Sequence, residues 1–454
     1  MLLLSGESGM SRLPTLSTII ARGFSSASVA IRPTKAAATR ARRVPEGPGL
    51  AYFVNSYSPG DGDQPTTTTT AQGGRLEQPA RSVESMRQLA AQLSEAERIA
   101  KEAEATLASR AKGVGRAAPG LENNMLSDTH GRHHNYLRIS LTERCNLRCV
   151  YCMPEDGVDL QPQTKMINQQ EILRLAKMFV EAGVDKIRLT GGEPLVRKDL
   201  PEIVRELSSL EGVRNVGVTT NGINLKRKLP ALRDAGLTHI NVSLDTLRQD
   251  RFAAITRRNG LDTVLASLES ALAHGYGGRL KINCVVMNGV NTDELADFLD
   301  FTRDQELDVR FIEWMPFDDN RWKDAKFFSF QSMLDVIKER YPDLERTVDS
   351  ANDTTKWYRV PGYRGRVGFI TSMSEHFCGT CNRLRITSDG NLKVCLFGDE
   401  SLSLRDALRG GLSDAEISVL VRAAVLGKRA ALGGHGDMYG IANAKNRPMT
   451  TIGG

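Results

Sequence analysis

Leu137-Arg-Ile-Ser-Leu-Thr-Glu-Arg-Cys-Asn-Leu-Arg-Cys-Val-Tyr-Cys-Met-Pro154 opens as a candidate strand, Leu137–Leu141, and runs into a loop of three cysteines. Cys145, Cys149 and Cys152 have the spacing C-x3-C-x2-C. Thiolates grouped so tightly point to a metal site, and zinc sites or iron–sulfur clusters normally take four protein ligands. Three leave one metal position for a ligand that is not protein. A zinc knuckle or a chance grouping is the competing reading, although zinc knuckles favour two C-x2-C pairs.

Outward from this stretch the chain alternates short β-branched runs with amphipathic helical patterns. Candidate strands follow at Lys186–Thr190, Val216–Thr220, His239–Leu244, Leu280–Val286 and Val309–Trp314. Helical patterns lie between them at Glu171–Ala182, Pro201–Leu210, Leu261–His274 and Asp293–Asp304. Strand–helix repetition of this kind predicts a parallel α/β architecture, and six units fit an incomplete (β/α)6 barrel. In such barrels chemistry gathers at the C-terminal strand ends. The cysteine loop, Gly191-Gly-Glu-Pro194, Thr219-Thr-Asn-Gly222, Ser243 and Met315 all fall there.

A second cysteine group, Cys378-Gly-Thr-Cys381 with Cys395, again offers three ligands. His376 lies close by, so zinc stays an alternative for this half. Cys284, in the apolar run Lys-Ile-Asn-Cys-Val-Val, reads as a small core residue.

Tyr151 before the third cysteine makes the first loop similar to the signature of radical S-adenosylmethionine enzymes. Cys378-Gly-Thr-Cys-Asn-Arg-Leu-Arg-Ile386, Cys395-Leu-Phe-Gly398 and the terminal Ile-Gly-Gly454 together resemble the GTP 3′,8-cyclase family of molybdenum cofactor biosynthesis. The resemblance runs from about Tyr136 to Gly454, roughly seven tenths of the chain. It implies an incomplete (β/α)6 TIM-like radical S-adenosylmethionine barrel over 130–345 and a C-terminal cluster-binding extension over 346–454. Two 4Fe–4S clusters are implied on Cys145, Cys149, Cys152 and on Cys378, Cys381, Cys395. Tyr151, Gly192, Ser243 and Met315 would line the S-adenosylmethionine pocket, where glycines let backbone reach the cofactor's amino group and Glu193 assists. Arg138, Arg188, Thr219, Lys281, Arg383, Leu384 and Arg385 would bind GTP, and Arg138, Arg383 and Arg385 are the catalytic candidates. Internal salt bridges are the competing use for these cations, because a buried charge must be paired. The double-glycine tail would enter the barrel, although terminal glycines usually fray.

The implied reaction cleaves S-adenosylmethionine reductively, takes the C3′ hydrogen of GTP and closes C3′ onto C8. The product would be (8S)-3′,8-cyclo-7,8-dihydroguanosine 5′-triphosphate. Implied partners are GTP and a one-electron reductant. Because the chain ends at Gly454, the downstream cyclic pyranopterin monophosphate synthase is expected as a separate chain; a homodimer is a further expectation. A radical peptide or sulfatase maturase generally carries more C-terminal cysteines than the three here. A zinc or nucleic-acid module would cluster basic residues with exposed aromatics, and no nucleic-acid partner is expected.

Composition frames this reading. The formal charge of +6 over 454 residues suits an anionic small molecule as well as nucleic acid. No apolar run approaches the length needed to span a bilayer. Before Glu46 the acidic residue is Glu7, against seven Arg and Lys. That composition is one of a mitochondrial or plastid transit peptide, and a mitochondrial one over 1–45 with a matrix location is the expectation. Arg22-Gly-Phe-Ser-Ser26 looks like a matrix-protease site, and Leu2-Leu3-Leu4 leaves a secretory signal as the rival. Pro, Gly and Thr dominate 46–81, so 46–125 is expected to be a disordered linker. Within it Leu89, Leu93 and Ala96 recur at helical spacing, which predicts an amphipathic helix over 82–110. A solvated linker helix is its expected state and docking the alternative.

Overall fold

In a computed structural model, which describes residues 83–114, 124–318, 320 and 322–453, the six runs are six parallel strands. They are β1 (Tyr136–Ser140), β2 (Lys186–Thr190), β3 (Asn215–Thr220), β4 (His239–Ser243), β5 (Leu280–Val286) and β6 (Leu307–Glu313). The stretch expected as a transit peptide, the expected linker before Val83, and Gly454 lie outside the described residues.

Along each strand alternate residues divide between two faces. Leu137, Ile139, Ile187, Leu189, Ile282 and Phe311 belong to one fully buried apolar core beneath the helices. Helix α2 (Gln169–Glu181) follows β1, α3 (Leu200–Ser208) follows β2 and α4 (Leu225–Asp234) follows β3. Then α5 (Gln249–Thr256) and α6 (Leu261–Ala273) follow β4, α7 (Leu295–Asp300) follows β5 and α8 (Phe330–Arg340) follows β6. A reciprocal capping box of Asn168 and Glu171 starts α2 and satisfies two orphan donors. Cys284 is fully buried in the core, as expected.

The partial barrel is then extended by strands from far along the sequence. β9 (Val367–Ile370) pairs parallel with β6, and β10 (Arg383–Ile386) pairs parallel with β1. Beyond β9 lie β8 (Lys356–Arg359) and β7 (Glu345–Arg346), and beyond β10 lie β11 (Asn391–Lys393) and β12 (Leu402–Ser403), all antiparallel. One twelve-stranded sheet therefore runs through both the 130–345 and 346–454 segments.

The predicted N-terminal helix forms as α1 (Val83–Val114), somewhat longer than 82–110. It is not a solvated linker. Ala96 is fully buried, Leu93 and Ile99 pack on the main core, and α1 lies along helix Asp414–Leu426. An apolar stripe on α1 has found an apolar partner, which outweighs solvation of its polar face.

Candidate active site

The inner face of the barrel wall is cationic. Arg138, Arg188, Lys281, Arg383 and Arg385 alternate with core residues and so share that face. Lys186 and Arg310 join them, and neither was singled out from sequence because alternation alone does not say which face is inward. Arg188 Nε donates to the Tyr136 hydroxyl at 3.2 Å and its Nη1 to Val218 O at 3.1 Å. Arg310 holds Asn283 Oδ1 at 2.6 and 3.0 Å. Arg383 donates to Asn352 O at 2.7 Å and lies over the Tyr136 and Phe377 rings.

Crowded cations disfavour each other's charge. Burial, with Arg385, Arg188 and Arg383 nearby, pushes Arg138 down to about 9. Burial and Arg188 bring Arg310 down to about 10. Burial alone would raise Tyr136, but Arg188, Arg138 and Lys186 outweigh it and hold the phenol at about 7. Such a field is suited to a polyanion. Ser140 Oγ, Thr219 Oγ1, Asn241 Oδ1 and Arg385 Nε are buried without a hydrogen-bond partner among the described residues. Buried polar atoms of this kind fit a polar ligand in the lumen.

Two candidates sit differently from expectation. Lys281 Nζ is paired with Asp308 Oδ2 at 2.9 Å, and Arg366 shares that carboxylate at 2.8 Å. The internal salt bridge is therefore the state seen for Lys281. Leu384 points away from the arginines: its side chain is fully buried in the outer core, as alternation between Arg383 and Arg385 requires. Its backbone alone can reach a ligand on the inner face.

The first cysteine loop sits where β1, β2, β3 and β4 end. Backbone N–H groups of Arg148 and Val150 bond to Thr256 O and Ile255 O. Leu147 N–H points at Cys145 Sγ at 3.4 Å, and Asn221 Nδ2 lies at 3.9 Å. Donors aimed at sulfur suit thiolate ligands. Burial raises all three thiols, Cys152 to about 12, so it is metal ligation that would deprotonate them. Tyr151 packs with Ile255, Met287 and Trp314 beside Cys149 and Cys152. Its hydroxyl donates to Asp245 Oδ2 at 2.7 Å. Ser243 shares a small cavity with Cys149, Tyr151 and Asp245. Met315 follows the C-terminal end of β6 and packs against a separate apolar cluster that includes Phe317 and Phe397.

Gly192 and Glu193 bind the loops to each other. A Cβ on Gly192 would lie 2.6 Å from Arg144 O, so the close approach is to the cysteine loop's own backbone. Glu193 is fully buried and accepts from Leu195 N, Thr220 Oγ1 and Asn221 N at 2.7–2.9 Å. Burial pushes it up to about 7 against those bonds. Its oxygens thus clamp β2 to β3.

The second cysteine group lies at the opposite strand ends. Cys381 comes just before β10, whose first residue Arg383 pairs with Tyr136, the first residue of β1. Continuing the β10–β11 register from Arg385↔Lys393 sets Cys395 beside Arg383. Five residues of β1 at ~3.3 Å each separate the two cysteine levels by roughly 16 Å. The arginines lie between. Leu432 N–H points at Cys378 Sγ at 3.4 Å, and Lys428 Nζ lies 3.4 Å from Cys381 Sγ. His376, the possible fourth zinc ligand, is exposed, and no described group of His, Cys, Asp or Glu is placed for a single metal ion. The C-terminal tail closes on the barrel: a Cβ on Gly453 would collide with Thr190 Oγ1 at the end of β2.

Residues 139–302 match the Radical SAM superfamily, and 307–433 match Molybdenum Cofactor Synthesis C. The chain is 56% identical over 327 residues to molybdenum cofactor biosynthesis protein 1 of Bos taurus, covering 72% of this chain and 51% of that one. Against the mitochondrial GTP 3′,8-cyclase of Arabidopsis thaliana it is 52% identical, covering 73% of this chain and 84% of the relative. Against the GTP 3′,8-cyclase of Listeria monocytogenes it is 44% identical, covering 62% and 85%. The chain spans about half the length of the animal relatives it matches.

Proposed function

The chain belongs to the GTP 3′,8-cyclase family, and from that premise we propose that it converts GTP to (8S)-3′,8-cyclo-7,8-dihydroguanosine 5′-triphosphate, the opening step of molybdenum cofactor biosynthesis. The observation that carries the reading is the run of inner-face cations between two cysteine triads at opposite strand ends. Cys145, Cys149 and Cys152 would hold one 4Fe–4S cluster, and Cys378, Cys381 and Cys395 a second. The first cluster, with S-adenosylmethionine, would supply the one-electron chemistry that makes a hydrogen-abstracting 5′-deoxyadenosyl radical.

The chain's own work is placement. Arg138, Lys186, Arg188 and Arg310 form a cationic wall for the triphosphate, and Thr219 adds a hydroxyl. Arg383 and Arg385, joined through one strand to Cys381, hold the nucleotide between the two cysteine levels, with C3′ turned toward the Tyr151 end. Holding C3′ against C8 in a fixed orientation replaces a costly search. Gly453 lets the tail lie against Thr190 and shields the mouth from water. Lys281 would have to leave Asp308, or share it, to reach a phosphate. A one-electron reductant and a mitochondrial matrix setting belong to the same reading, in keeping with a relative named mitochondrial.

Anaerobic turnover with S-adenosylmethionine and GTP deuterated at C3′ tests it. Deuterium in 5′-deoxyadenosine is the expected result. Unlabelled 5′-deoxyadenosine would remove GTP or its C3′ as the target, and none at all, with clusters intact, would remove the activity.

A further inference from the structure

Behind Cys381 stands a buried cation with no carboxylate of its own. Lys428, two residues beyond the helix Asp414–Leu426, is 4% exposed. Its three ammonium protons are all directed: to His134 Nε2 at 2.8 Å, to Arg383 O at 3.2 Å and to Cys381 Sγ at 3.4 Å. His134 Nδ1 lies 2.8 Å from Leu126 O. A carbonyl can only accept, so Nδ1 carries the ring proton and Nε2 offers its lone pair to Lys428. The nearby carboxylate, Asp128, is taken by Arg132 Nε at 2.5 Å and by the backbone N–H groups of His130 and Arg132. Two of the three acceptors of Lys428 are therefore neutral. A buried charge must be paired, and the third acceptor, the Cys381 sulfur, is the one that becomes an anion on ligating metal.

We infer that Lys428 is a positioning residue for the second cysteine site, donating a charge-assisted hydrogen bond to the Cys381 thiolate and raising the reduction potential of the cluster held there. The inference rests on the proposed cluster at Cys378, Cys381 and Cys395. Reduction adds one electron and breaks no bond; a fixed positive charge and a hydrogen bond to a ligand sulfur both favour the added electron. The lysine is itself aimed through His134, whose tautomer is set by Leu126, so the support reaches back to the segment before β1.

The test uses the full chain with Cys145, Cys149 and Cys152 replaced by alanine, reconstituted anaerobically with iron and sulfide. Its remaining cluster is titrated with dithionite and followed by electron paramagnetic resonance. Lys428→Met is expected to move the midpoint to a more negative potential, and Lys428→Arg to restore most of it. An unchanged midpoint in Lys428→Met, with iron and sulfide retained, overturns the inference. Should Lys428→Met lose its iron, Lys428→Gln is titrated instead, and an unchanged midpoint there overturns it equally. If the parent chain with Lys428 intact binds no iron and sulfide, the cluster reading fails first.

Discussion

Arg138 on β1 and Arg385 on β10 are register partners, so two guanidinium groups share one rung of the inner wall, with Arg188 beside Arg138 on the other side. Like charges directly opposite are destabilising in the absence of an anion. Arg385→Met should therefore leave the fold as stable as before, or more stable by up to ~1 kcal/mol. The same change should weaken GTP binding roughly 10–100-fold, the size of a lost charged hydrogen bond. Thermal melts and GTP titrations on one preparation check both halves; a lower melt with unchanged GTP affinity would show the arginine to be structural.

Asp308 is the opposite case, a carboxylate that two cations need. Burial raises it, but Arg366 and Lys281 outweigh burial and hold it below the ordinary carboxylate range. Asp308→Ala leaves Lys281 without its partner and should cost ~3 kcal/mol, at the low end for a broken buried pair because Arg366 is partly solvated. A depressed folded value gives stability that is present above the unfolded pKa of about 3.9 and lost as pH falls through the folded one. Urea melts should thus separate wild type from variant at pH 7 and bring them together near the acid limit.

The tail offers a sharper test of the mouth. Gly453 has φ 74° and no room for a Cβ beside Thr190. Gly453→Ala should unseat the last residues with a stability loss of only about 1 kcal/mol, since the core lies elsewhere. GTP affinity should fall ~10-fold, near 1.4 kcal/mol, and a protease should clip the tail faster. An intact tail with full affinity would mean that the contact with β2 is incidental.

Ala96→Glu probes the docking of α1. A carboxylate forced into the seam with the helix Asp414–Leu426 should cost about 2–3 kcal/mol. Hydrogen exchange is expected to speed up over 414–434, where Leu432 meets Cys378, and to stay unchanged in the loop of Cys145. Uniform acceleration of both regions would mean that α1 supports the whole fold and not that corner.

Much of this arrangement is written locally. The six barrel strands fall within two residues of their predicted bounds because each combines β-branched residues with an inward polar set. The cysteine loop and Gly191-Gly-Glu-Pro194 were placed at the correct strand ends for the same reason. What sequence hid is non-local. Nothing near Arg383 says that it pairs with Tyr136, so the second cysteine group was expected but its position at the far end of the barrel was not. Lys186 and Arg310 escaped because a strand's pattern does not name its inner face. The clamp made by Glu193 was hidden too, because its donors, Thr220 and Asn221, come from another strand and its end.

Because β10 is both a barrel stave and the carrier of Cys381, the order of synthesis matters. A ribosome that has finished β1 through β9 has made a wall whose β1 margin is still bare, with a parallel partner not yet translated. Long-range pairing of this kind is slow to form, and an unpaired strand margin invites the wrong neighbour. The nascent chain should lean on chaperones until β10 emerges, and the closed inner wall comes into being only when it does.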